Sequence, residues 1–82
     1  MNTATAAHAS PAAASRSMLA RAAAAERAFF SPDTRPVLLT WYREEASSLL
    51  CHLAHGGEIT GEECRRRTHA MSSHTPPQGW AY

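Results

Sequence analysis

At 82 residues the chain has room for one small domain and no more. Its 44% hydrophobic content includes 17 Ala, which leaves only ten Leu, Ile, Val and Phe residues and excludes a large core. A net charge of +1 excludes disorder driven by self-repulsion, and no apolar run reaches the ~18 residues that a membrane-spanning helix needs.

Residues 1–15 are rich in Ala, Ser and Thr, carry Pro11 and hold no large aliphatic side chain. With nothing to bury, they are expected to form a flexible tail. Ser15 or Ser17 can cap the segment that follows. From Arg16 to Phe30 the composition favours helix. Met18, Ala22, Ala25 and Phe29 fall at helical spacing there, with Leu19 and Phe30 beside them. Residues 31–36, SPDTRP, break the pattern with Pro32 and Pro36. Asp33 or Thr34 is expected to cap the next helix. Pro36 then lies in its first turn, where a missing N–H does no harm.

The second helix, residues 35–55, has the clearest periodicity. Leu38, Tyr42, Ala46, Leu49 and Leu53 recur at helical steps, and Leu39 and Leu50 widen the stripe into a core-facing side. His55-Gly56-Gly57 ends it, glycine offering the left-handed stop. Thr60 then precedes Glu63 at capping-box spacing, with Ile59 and Cys64 placed as a hydrophobic staple. A third helix is therefore expected from Gly61 to Ser72. Glu62–Arg66 and Glu63–Arg67 are spaced for ion pairs with the acid on the N-terminal side, the better order. Its apolar row is thin: Cys64, Thr68 and Met71. Residues 73–82, with Pro76, Pro77 and Gly79, read as a second flexible tail. The fold expected is all-α: a helical hairpin with an additional N-terminal helix, a three-helix domain over residues 16–72 between flexible termini.

The run from Leu50 and Leu53 through Gly57-Glu58-Ile59-Thr60-Gly61-Glu62-Glu63-Cys64 resembles the short helical-hairpin domain known as SHOCT. That family has a leucine-bearing helix, a glycine turn, an Ile-Thr-x-Glu-Glu run and a basic helix. The likeness spans residues 46–71. The chain departs from the pattern at Cys64, where the family usually has an aromatic, and at Met71, where it usually has leucines. The resemblance implies oligomerisation or protein contacts, and no chemistry.

The residues that could carry chemistry are few. Cys51 and Cys64 make no disulfide framework, which points to a reducing, cytoplasmic setting. No basic stretch leads into an apolar one near the start, so no secretory signal is expected. The late first acid, Glu26, with Arg16, Arg21 and several Ser before it, is like an organellar transit peptide in composition alone, and the expectation stays cytoplasmic. Cys51 and His55 lie one helical turn apart and could share an ion, but Cys64 and His69 diverge by about 140° around a helix. No metal and no cofactor are expected. Cys51 with His52 or His55 is a nominal nucleophile–base pair on a helix surface without a cleft or oxyanion donors, so no enzyme is expected.

What remains is recognition. Trp41 lies at one side of the apolar stripe, with Glu45 and His52 near it, and is placed to anchor a partner. The short supply of large apolar residues suggests that part of the stripe, or the Trp41 edge, stays open, so Trp41, Glu45, Leu49, His52 and Leu53 are the expected partner-binding residues. The function expected is a protein–protein interaction module, self-associating or docking as a small regulator or inhibitor on a larger bacterial or phage-related complex. The alternative is a nucleic-acid-binding regulator, or contact with an acidic partner, through Arg65, Arg66 and Arg67. Consecutive helix residues point about 100° apart, however, so the three do not form one basic face.

Overall fold

A computed structural model describes residues 11–74. Helix α1 spans Pro11–Phe30, a 3₁₀ turn Pro36–Leu38 leads into α2, Leu39–His55, and α3 spans Gly61–Ser72. Among the described residues there is no strand, and the fold is a small all-α one. The tail segments 1–10 and 75–82 lie outside the described residues.

Helix α1 starts earlier than expected. Pro11 and Ala12-Ala13-Ala14 already belong to it, so Ser15 and Ser17 lie within the helix and cap nothing. The helix propensity of the alanines favours this stretch. The predicted face is the one that packs. Ala22, Ala25 and Phe29 are buried, and Met18 and Leu19 lean partly buried against the same core.

The link to α2 corrects a second expectation. The Thr34 hydroxyl donates to the Ala28 carbonyl, and the Asp33 N–H donates to Ser31 Oγ at 3.2 Å. These residues close α1 instead of capping α2. Arg35 stands before the 3₁₀ turn with extended backbone and no side-chain cap, followed by Pro36. A 3₁₀ turn rotates its side chains further per residue than an α-helix does. Leu38, in that turn, is therefore carried off the stripe and is exposed, while Leu39 is buried.

Helix α2 is the centre of the fold. Leu39, Ala46, Leu49, Leu50 and Leu53 are buried, with Tyr42 packed beside them. It packs along α1 more extensively than along α3, and α1 and α3 meet at only a few points. Ala22 of α1 and Ala46 of α2 are both wholly buried; short side chains at such positions let helix backbones approach.

The hairpin between α2 and α3 forms as its residues imply. The Glu58 N–H donates to Leu53 O at 2.9 Å and the Gly57 N–H to Ala54 O at 3.1 Å, the paired bonds of a Schellman motif. Gly57 supplies the required positive φ, +80°. Thr60 Oγ1 accepts from the Glu63 N–H at 2.9 Å, and Ile59 and Cys64 pack partly buried against the core as the staple. Met71 then anchors the far end of α3 in the core. Ser73 and His74, assigned by sequence to the flexible tail, are tied down. Their N–H groups donate to His69 O and Met71 O, and the His74 ring stands edge-on to Phe29 and Phe30, each 5.3 Å away. None of the described helices is long and apolar enough to cross a membrane.

Candidate interaction surface

Among the described residues four large apolar side chains are exposed: Val37 at 67%, Trp41 at 55%, Phe30 at 43% and Leu38 at 38%. Three of them, Val37, Leu38 and Trp41, are clustered at the start of α2, where the Pro-bounded link and the 3₁₀ turn direct them outward. The Trp41 ring is held edge-on against Tyr42, centroids 5.0 Å apart, and Tyr42 packs on the core. One side of the indole is thereby braced and much of the rest is left to solvent.

Trp41 borders a groove between α1 and α2. Arg21, Ala24, Ala25 and Ala28 form the α1 side, and Trp41, Tyr42 and Glu45 the α2 side. An adjoining stretch runs on past Glu44, Ser48 and the edge of Leu49, again with Arg21, Trp41 and Glu45. The α1 wall is low because it is mostly alanine; Trp41 makes the opposite wall high. The charges are opposed, Arg21 on α1 and Glu44 and Glu45 on α2. Among the described residues none of these three is in an ion pair.

The predicted partner-binding residues separate in space. Trp41 and Glu45 lie on the groove. His52 is exposed in a different hollow with Ser48, Cys51 and His55. Leu49 is buried apart from its edge, and Leu53 is wholly within the core. Of the two places expected to stay open, the Leu stripe is covered and the Trp41 edge is exposed. Ala22, Ala25 and Phe29 of α1, with Met71 of α3, cover the stripe, and the short alanine side chains let α1 come close.

The remaining chemical groups are engaged or isolated. Cys51 is exposed, with Sγ 3.7 Å from His55 Nδ1, and that ring nitrogen lies 2.9 Å from Cys51 O, where an N–H donates to the carbonyl. Among the described residues no three His, Cys, Asp or Glu are grouped to hold a metal ion. Arg65 is exposed. Arg66 donates to Glu63 Oε1 at 2.6 Å, the pair three residues apart, in place of the expected Glu62 partner. That hydrogen bond holds the Glu63 carboxyl below its ordinary range, with the charges of Arg66 and Arg67 acting in the same sense.

Arg67 does something that sequence reasoning missed. It forms a two-pronged ion pair with Glu26 of α1, Nε to Oε2 at 2.9 Å and Nη2 to Oε1, and lies 3.6 Å from Glu63. Both partners are mostly shielded, and the Glu26 hydrogen bonds hold the guanidinium above its ordinary range. The signal was present. Glu26, the one acid in α1, follows Ala22 by four residues, and Arg67 precedes Met71 by four, so each charge stands on the core-facing side of its helix. The pair clamps α1 to α3 where their apolar contact is sparse. Compared with family models, with curated proteins and with solved structures, the chain finds no match in any of the three.

Proposed function

We propose that the chain is a non-enzymatic protein–protein interaction module that binds through the Trp41 surface. One observation carries the reading. In a chain with ten Leu, Ile, Val and Phe residues, Val37 and Leu38 stand exposed beside an exposed Trp41 at the rim of a groove. A clustered apolar patch on so small a surface marks a contact site, and Trp is the residue that most often anchors one. The likeness of residues 46–71 to SHOCT hairpins supports the same reading, since that family is associated with oligomerisation and protein contacts. A small regulator docking on a larger complex would use this same surface.

The nucleic-acid alternative has less behind it. Phosphate binding draws on unpaired cations concentrated on one face. Here Arg66 and Arg67 are engaged with Glu63 and Glu26, and the net charge is +1. Sedimentation of the wild type and of Trp41→Ala, at low and high salt, tests the proposal. Trp41→Ala is expected to weaken association about tenfold or more while circular dichroism shows the helicity retained. Association indifferent to Trp41, or binding of nucleic acid that falls steeply with salt, would remove the proposal.

A further inference from the structure

We infer that the occupant of the α1–α2 groove is a second copy of this chain, related to the first by a two-fold axis running along the groove. This pairing rests on the interaction reading above and names its partner. The groove has one basic wall, Arg21, and one acidic wall, Glu44 and Glu45, and none of these charges is paired within the described chain. A partner surface of one sign is attracted by one wall and repelled by the other. A second copy turned over about the groove presents acid to arginine and arginine to acid, and the two-fold makes each contact twice.

The levels along the groove agree with this arrangement. Arg21 shares both of its adjoining stretches with Glu45, and Ala24 and Ala28 share one with Trp41, so each of these pairs faces across the groove at its own level. Rotation about an axis parallel to the groove preserves that level. Each copy's α1 then lies over the other's α2, with Arg21 opposite Glu45 of the second copy. Trp41 descends on the other copy's Ala24 and Ala28, whose methyl side chains leave room for an indole. Because α1 and α2 are joined by a short link and pack lengthwise, they run antiparallel within a chain. They also run antiparallel across this axis, so the assembly is a four-helix layer with opposed dipoles at each contact.

The test uses two charge reversals on exposed or half-exposed groove residues of the full chain. Wild type is expected to sediment as a dimer at micromolar concentration. Arg21→Glu places acid against acid at both contacts, and Glu45→Arg places arginine against arginine. Each variant is expected to lose about tenfold or more in association. Mixed in equal amounts, the two variants present opposite charges at both contacts and are expected to regain the dimer. A pair formed within one chain could not be restored by mixing. Circular dichroism of each variant, matched to wild type, shows that folding is intact; an unfolded Arg21→Glu is replaced by Arg21→Gln, expected to weaken the dimer without reversing it.

A monomeric wild type, or a mixture that stays monomeric, overturns the two-fold pairing. The interaction reading fails separately, when Trp41→Ala leaves association unchanged. A dimer dissociated by Trp41→Ala but not restored by mixing keeps the Trp41 surface as a contact and discards this geometry.

Discussion

Thr60 shows how much one side chain does at a helix start. The spacing to Glu63 is that of a capping box, but only half of the box forms. The Thr60 hydroxyl accepts from the Glu63 N–H, while the Glu63 carboxylate is turned to Arg66 and Arg67. The cap therefore rests on Thr60, and Thr60→Ala is expected to cost about 1 kcal/mol. In so small a domain this corresponds to a fall of several degrees in melting temperature, readable by thermal circular dichroism. A Thr60→Ser variant, which keeps the accepting oxygen, is expected to retain most of the stability. Equal melting points for wild type and Thr60→Ala would show that α3 does not depend on this cap. Glu26 and Arg67 act differently, across helices instead of along one, and do for α1 and α3 what apolar contact does elsewhere in the fold.

At the scale of the element, the end of α2 separates two glycines that look equivalent in sequence. Gly57 has φ +80°, a conformation that side chains disfavour, and a Cβ there would meet nothing within 4 Å. The cost of Gly57→Ala is therefore one of backbone conformation alone, about 1 kcal/mol. Gly56 has right-handed φ, −82°, and an added Cβ would stand in ordinary contact, 3.6 Å from His52 O at the nearest. Gly56→Ala is expected to be neutral or to stabilise by up to about 1 kcal/mol, since alanine restricts the unfolded chain. Urea unfolding of the two variants should move in different directions. Equal losses would mean that the turn does not need its left-handed residue. The element scale also explains the wrong cap assignments before α2. The link closes α1 through Thr34 and opens α2 through a 3₁₀ turn, so the residues expected at one helix start serve the preceding helix end.

For the whole molecule the balance is between a narrow core and an exposed rim. Among the described residues nine buried hydrophobic ones form the core, three of them alanine. A core of this kind leaves a small margin over the entropy of ordering the chain, and association adds to that margin by mass action. The melting temperature of the wild type is thus expected to rise with protein concentration, while that of Trp41→Ala stays flat. Scanning calorimetry over a hundredfold dilution, about 2.7 kcal/mol in linked free energy at saturation, has the range to detect it. A melting point independent of concentration in both proteins would place the whole stability in the monomer and deprive the exposed apolar rim of a role in folding.

The amino-acid order alone determined what depends on neighbours within one or two turns. The packed face of α1, the stripe of α2, the glycine stop at Gly57 and the start of α3 at Thr60 all follow from spacings of three or four residues, because helix hydrogen bonds and side-chain contacts span that distance. Tertiary structure decided the rest. Whether Leu38 or Leu39 faced inward depended on the 3₁₀ entry to α2. Whether the Leu stripe stayed open depended on how closely an alanine helix could approach it, which composition does not reveal. Arg67 found its partner 41 residues away, at Glu26, instead of on its own helix alone. Such choices are made by the packing of whole helices against one another, and no short window of sequence contains both sides of that contact.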